Sequence, residues 1–163
     1  MDARDVTVRI AGEDDADVAV LAALRRAWIE ENAGGSIDDA SFERSFVSWW
    51  RAELPTRTFF VVELHGRPIG MANVKRYSRM PVPGRASGGW WGYVGNVFVL
   101  AEHRNDGAGR LLMDELIRWA GSRGAEHLRL APSPLSKTFY ARLGFDPGAV
   151  VELDPPPSRH SDG

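Results

Sequence analysis

Apolar positions recur along this chain with two periods, and the switches between them mark the elements. Val6, Val8 and Ile10 alternate with polar residues and predict a strand over residues 6–11. Behind Asp14, Asp15 and Asp17, acids suited to a helix start, Val18, Leu21, Leu24 and Trp28 fall at helical spacing and predict a helix that fades by Asn32. Ala33-Gly34-Gly35 breaks it, and Ser36 or Asp38 can cap a successor. Phe42, Phe46, Trp49, Trp50 and Leu54 give that second helix an aromatic face, which Pro55 ends. Residues 58–64 (TFFVVEL) read as a strand, His65-Gly66-Arg67 as a tight turn, and residues 68–77 as the strand that returns, an antiparallel hairpin.

The stretch that follows, SRMPVPGRASG, is rich in Pro, Gly and Ser and reads as a loop carrying Arg79 and Arg85. Val94, Val97, Phe98, Val99 and Leu100 then form a β-branched and aromatic run suited to a buried strand, and Gly95 inside it marks a bulge. Residues 104–110 (RNDGAGR) turn the chain into a helix whose Leu111, Leu112, Leu116, Trp119 and Ala120 fall at helical spacing. Gly121 and Gly124 end it. Residues 127–131 (HLRLA) give a short strand before Pro132-Ser133-Pro134, and a helix holding Tyr140 runs up to Gly144. A last strand is expected over residues 150–153. The alternation of strands with helices predicts one mixed α/β layer, an α+β sheet with antiparallel and parallel neighbours. One domain is expected over residues 1–154, with a disordered tail over 155–163. No internal repeat is visible.

Composition narrows the chemistry. At 163 residues and 44% hydrophobic, the chain supports one sizeable core. It has no cysteine, which excludes a disulfide framework, a thiolate metal site and a cysteine nucleophile. The formal net charge of −2 argues against a general nucleic-acid binder, and the four histidines show no ligand spacing, so no metal is expected. No run approaches membrane-spanning length and the first residues lack signal-peptide character, so no membrane partner and a cytoplasmic location are expected. Six tryptophans are many for this length. Trp90 and Trp91 are adjacent on a strand and must face opposite ways, so one of the two lies outside the main core.

In residues 104–110, Gly107 and Gly109 let backbone amides converge at a helix start, where the dipole favours an anion, and Arg104 and Arg110 add charge. A dinucleotide fingerprint would need a third glycine where Leu112 stands, and a Walker loop would need Gly-Lys-Ser/Thr, which does not occur. The Arg-x-x-Gly-x-Gly pattern, preceded by a strand ending Val-x-Val and followed by an amphipathic helix, resembles the acyl-CoA pyrophosphate loop of the GNAT superfamily of N-acetyltransferases. Residues 138–145 (TFYARLGF) are similar to that superfamily's late Tyr-x-x-x-Gly-Phe signature.

The resemblance implies a GNAT-like acyl-CoA N-acyltransferase fold with a splayed, bulged central strand, and acetyl-CoA as co-substrate. Backbone groups of Val97 and Val99 would pair with the pantetheine amides, and the N–H of Phe98 or Val97 would hold the developing oxyanion. The amides of Asn105, Asp106, Gly107, Ala108, Gly109 and Arg110 would receive the diphosphate, with Arg104 and Arg110 as charge partners. Tyr140 would return a proton to the departing sulfur. Ser133 stands where many family members carry asparagine, and Ser136 and Lys137 offer themselves to the cofactor instead.

No carboxylate stands on the strands in the expected stretches, where Asn96 and Leu128 occur. Glu30, Glu31, Asp38 and Asp39 near the helix-helix loop either draw in a cation or are simply solvated, and His103 falls on the phosphate side. The expected activity is transfer of acetyl to a primary amine, of a small molecule or a peptide, by direct attack in a ternary complex of a monomer or homodimer. The alternative is an acyl-CoA-binding sensor or interaction module without turnover.

Overall fold

One sheet holds five strands side by side in chain order: β1 (Val6–Ile10), β2 (Arg57–Leu64), β3 (Arg67–Ser78), β4 (Trp90–Val99) and β5 (Ala125–Arg129). The first three junctions are antiparallel and the fourth, between β4 and β5, is parallel. The computed structural model describes residues 5–148 and 153, in two compact units, one running to Ala131 and the other from Pro132. The expected strand over 150–153 and the tail over 155–163 lie outside the described residues, apart from Leu153.

Helices cover both faces of the sheet in the first unit. α1 (Asp15–Ala33) and α2 (Phe42–Glu53) place Val18, Leu21, Leu24, Phe46 and Trp50 against Phe59, Val61, Met71 and Phe98. On the other face α3 (Ala108–Ser122) buries Leu112, Met113, Leu116 and Ala120, and sets the edge of Trp119 on Phe60 and Trp90. β2 is thus covered twice, and its four consecutive residues Phe59, Phe60, Val61 and Val62 are all buried. Each such side chain contributes about 1.5–3 kcal/mol relative to exposure.

Local chemistry sets the joints. Asp14 caps α1 by accepting from the Asp17 amide at 2.8 Å, and Gly34 closes the helix in the left-handed region (φ 77°). Arg9 on β1 donates to both oxygens of buried Asp17, at 2.8 and 2.7 Å, and to Glu63 at 2.8 Å, so one guanidinium ties β1 to α1 and β2. His65 (φ 50°) and Gly66 (φ 74°) make a two-residue turn with both φ positive, which matches the twist of the hairpin β2–β3.

Two expectations about local structure are corrected. Neither Ser36 nor Asp38 caps α2: Ser41 precedes its first residue and makes no side-chain cap bond, while Asp39 accepts from the Ser41 amide at 2.9 Å and hydroxyl at 2.7 Å. The bulge in β4 is not centred on Gly95. Gly95 pairs with Asn73 and Phe98 with Met71, so Asn96 and Val97 together oppose Ala72, and it is Asn96 that adopts the left-handed conformation (φ 54°).

The tryptophan pair is resolved. Trp90 is buried and donates Nε1 to the Arg123 carbonyl at 2.9 Å. Trp91 faces the other way, stacked between Tyr77 (ring centroids 4.6 Å apart) and His127 (5.6 Å).

In the second unit, α4 (Lys137–Arg142) ends in a Schellman motif: Phe145 N–H reaches the Tyr140 carbonyl, Gly144 N–H reaches Ala141, and Gly144 is left-handed (φ 94°).

Candidate active site

β4 and β5 stay paired only as far as Tyr93 and Arg129. Past that point the outer edge of β4 meets no strand among the described residues. Leu100 N–H donates to the Ile69 carbonyl at 2.8 Å on the inner side. By the alternation of an antiparallel ladder, Phe98 then also turns its amide inward, toward Met71, while Val99 and Val94 turn their N–H and C=O to the open edge. Of the two oxyanion donors expected from sequence, Phe98 is therefore directed away from that edge, and Val97, on the bulge, is the one left. The Phe98 side chain is buried and stacks on Trp28, centroids 5.6 Å apart.

Just beyond β4, a single 3-10 turn (Ala101–His103) leads to residues 104–107 and the start of α3. Asn105 (φ 64°) and Gly107 (φ 88°) are both left-handed, and no side chain caps the helix. Among the described residues, the amides of Asn105, Asp106, Gly107, Ala108, Gly109 and Arg110 have no acceptor, since the first helical bond is Leu111 N–H to the Gly107 carbonyl. A turn with alternating handedness feeding an uncapped helix concentrates donors and positive potential in one concavity.

The two arginines expected to flank it are engaged differently. Arg104 makes two 2.6 Å bonds to Glu31 at the end of α1 and donates Nε to the Val99 carbonyl at 2.8 Å, so its guanidinium serves a protein carboxylate rather than standing free for an anion. The Glu31 carboxyl is held below the usual carboxylate range by that arginine. Arg110 makes only a long contact, 3.3 Å, with Asp114 one turn along the exposed face of α3.

Of the other acids around the α1–α2 loop, Glu30 and Glu43 share one arginine and Asp39 is held by a serine. Arg26 binds Glu43 at 2.9 Å and Glu30 at 3.3 Å, and Glu30 also accepts from the Ile37 amide. Asp39 is held low by Ser41.

Beside the bulge, on the α1–α2 side, lies a cavity of about 370 Å³. Phe42, Phe46, Trp49, Phe59 and Met71 form its apolar walls; Arg25, Ser45, Asn73 and Asn96 supply the polar groups. Asn73 is buried and accepts from Arg57 at 2.6 Å while donating to Asn96 Oδ1 at 2.8 Å. Arg57 in turn donates to Glu53 at 2.7 Å, which Lys75 also holds at 2.9 Å. This chain of bonds fixes the Asn96 side chain and, through it, the shape of the bulge. Sequence reading missed the cavity, although the aromatic face of α2 was visible and supplies three of its walls. An asparagine next to a glycine within a strand was the available signal for the bulge, because asparagine tolerates the left-handed region better than most residues.

In the second unit, Ser136 and Ser133 share a hydroxyl contact of 2.8 Å, and Lys137 is exposed at the start of α4. The Tyr140 ring packs edge-on against Phe139 and Phe145, centroids 5.1 and 5.9 Å away, and burial pushes its hydroxyl above the usual tyrosine range. Among the described residues no group of His, Asp or Glu is placed to hold a metal ion, and no helix is long and apolar enough to cross a membrane.

Comparison with known proteins agrees with this fold. The fold is similar to that of a predicted acetyltransferase from Clostridium acetobutylicum solved with acetyl-CoA (20% identity, 91% of this chain and 96% of that one, TM-score 0.70). It is also similar to glucosamine-6-phosphate N-acetyltransferase from Arabidopsis thaliana (16% identity, 91% and 97%, TM-score 0.67). A third similar structure is the aminoglycoside N-acetyltransferase AAC(6')-Iy, solved with a bisubstrate analogue (19% identity, 94% and 99%, TM-score 0.69). No curated protein matches the chain in sequence. The model of the acetyltransferase (GNAT) family matches residues 21–145, within which lie α2, the hairpin, the bulged strand, the amide-rich turn and Tyr140. The chain belongs to the acetyltransferase (GNAT) family, whose enzymes take acetyl-CoA as their acyl donor.

Proposed function

We propose that this chain transfers acetyl from acetyl-CoA to a primary amine by direct attack, and that the observation carrying this reading is the parting of β4 from β5 after Tyr93 and Arg129. An unpaired edge from Val94 to Val99 suits the amide-bearing pantetheine arm, which adds to it as a missing strand would. That edge runs directly to the free amides of residues 105–110, which suit a diphosphate. Arg110 stands on the same turn of α3. Arg104 contributes by bracing Val99 and Glu31, and Ser133, Ser136 and Lys137 remain candidates for the rest of the coenzyme.

The amine enters from the cavity beside Asn96. Its lone pair forms the new N–C bond, the carbonyl electrons move to an oxygen received by the Val97 amide, and collapse of the adduct breaks the C–S bond. A donor of that kind contributes about 3 kcal/mol in other enzymes. The sulfur leaves with the electron pair and takes a proton, for which Tyr140 is the proposed source; the nitrogen releases its extra proton to solvent. No carboxylate lines the cavity, so the reaction draws on the fraction of acceptor that is already neutral. The acceptor is a small molecule or an exposed peptide amine.

The same lack of a base supports a second reading, an acyl-CoA-binding sensor without turnover. Thiol release measured against a panel of amines, for the wild type and Tyr140→Phe, separates the two. Amine-dependent release that drops at least tenfold in the variant supports the enzyme; acetyl-CoA binding with no release for any amine leaves the sensor.

A further inference from the structure

Of the residues that line the cavity, Arg25 alone is charged. Among the described residues, four acids of the surrounding elements are engaged by cations: Glu31 by Arg104, Glu30 and Glu43 by the single Arg26, and Glu53 by Arg57 and Lys75. Asp38 is exposed in the loop before α2 and does not line the cavity. Arg25 does line it. Half-buried on α1, with its guanidinium carbon 5.0 Å from the Trp28 ring, Arg25 has no ion pair or hydrogen bond among the described residues. Arg57 also stands near, 5.3 Å from the ring of Trp49, but it is held by Glu53 and Asn73 and does not line the cavity. The remaining lining is aromatic or neutral.

We infer that the acceptor is an amine carrying a carboxylate and an apolar or aromatic body, an amino acid rather than a polycation, with Arg25 as the group that receives its carboxylate. This rests on the acetyltransferase reading above and names the class of acceptor for it. A guanidinium left unmatched in a partly desolvated cavity offers a planar fork that a carboxylate fills with two parallel bonds. Phe42, Phe46, Trp49 and Phe59 give the body of such an acceptor a surface to stack on, and a volume of about 370 Å³ lies within the ~300–1,000 Å³ typical of small-molecule sites. A polycationic acceptor finds the reverse of what it needs: an unpaired arginine and no carboxylate in the lining.

The test pairs binding with turnover. Calorimetry in the presence of coenzyme A measures phenylalanine, phenethylamine and spermidine against the wild type, Arg25→Gln and Arg25→Lys, and thiol release from acetyl-CoA is followed with the same three amines. Phenylalanine is expected to bind the wild type at least about tenfold more tightly than phenethylamine, the scale of one charged hydrogen-bonding partner. Arg25→Gln abolishes that preference by weakening phenylalanine alone, and Arg25→Lys restores part of it. Phenethylamine or spermidine binding as well as phenylalanine, or a preference that survives Arg25→Gln, overturns the inference. If phenylalanine binds through Arg25 but no amine is acetylated, the assignment of Arg25 stands and the enzymatic reading falls.

Discussion

Arg104 holds Glu31 through two hydrogen bonds of 2.6 Å, and with its remaining nitrogen it holds the carbonyl of Val99. The end of α1 is thereby tied to the last residue of β4, across the point where the coenzyme is expected to pass from the open strand edge to the turn. Both side chains are more than a third exposed, so the pair acts as a positional tie. In a double-mutant cycle on the KM for acetyl-CoA, Arg104→Ala and Glu31→Ala are each expected to raise KM about two- to fivefold, and the double variant no further. Additive effects would show instead that Arg104 reaches the diphosphate on its own.

The left-handed Gly107 gives a sharper test of the turn. A Cβ placed there meets nothing within 4 Å, so Gly107→Ala changes only the backbone preference, at a cost of about 1–2 kcal/mol. The expected outcome is a raised KM for acetyl-CoA with kcat little altered, read from initial rates, because the turn is proposed to bind the donor and takes no part in the chemical step.

Asn96 should tolerate glycine and resist branched residues. Asn96→Gly relieves the φ of 54° but loses the bond from Asn73, and a small drop in stability is expected; Asn96→Val forces a β-branched residue into the same conformation and should cost about 1–3 kcal/mol. Urea midpoints for the two variants decide it, with Asn96→Val the less stable.

These three sites show unequally in the sequence. The strand-turn-helix at residues 93–120 was legible because β-branched residues, two glycines and a helical apolar period each point to the same geometry. The bulge was legible only to within one residue, since a strand glycine and the asparagine after it both permit the needed distortion, and the choice depends on Asn73, far away in sequence on β3. The tie of Arg104 to Glu31 joins residues far apart in the chain, and nothing local distinguishes an arginine that binds phosphate from one that binds a carboxylate. The spacing of the α2 aromatics predicts one aromatic face but not which of its residues reach the core. Phe46 and Trp50 are buried, but Trp49 is 40% exposed and forms a cavity wall, which depends on how the helix is rotated over the sheet.

Acid stability should hinge on Asp17. The Arg9 hydrogen bonds hold its carboxyl below the usual range, against the opposing effect of burial. A depressed folded value means that the stabilisation is present above the unfolded value, near 3.9, and is lost as pH falls through the folded one. Asp17→Asn should cost about 1.5–3 kcal/mol at pH 7, and the gap to wild type should close as pH is lowered below about 4. Thermal melts from pH 7 down to pH 2 check both parts.

As the proposed proton donor, Tyr140 is expected to set the alkaline limit. A proton donor must be protonated, and burial raises the hydroxyl above the usual tyrosine range, so kcat should hold through neutral pH and decline only above about 10. In Tyr140→Phe, kcat is expected to be lower and that decline absent. A wild-type limb falling near pH 8 would assign the donor to another group.

The unzipped seam between β4 and β5 has a consequence for handling as well as for turnover. Between Val94 and Val99 the outward main-chain groups of β4, apart from the Val99 carbonyl that Arg104 holds, have no strand beside them among the described residues, and such an edge is open to adhesion by a second chain. Coenzyme supply then governs shelf life: material stripped of it should clump on storage, and a modest excess in the buffer should keep it clear.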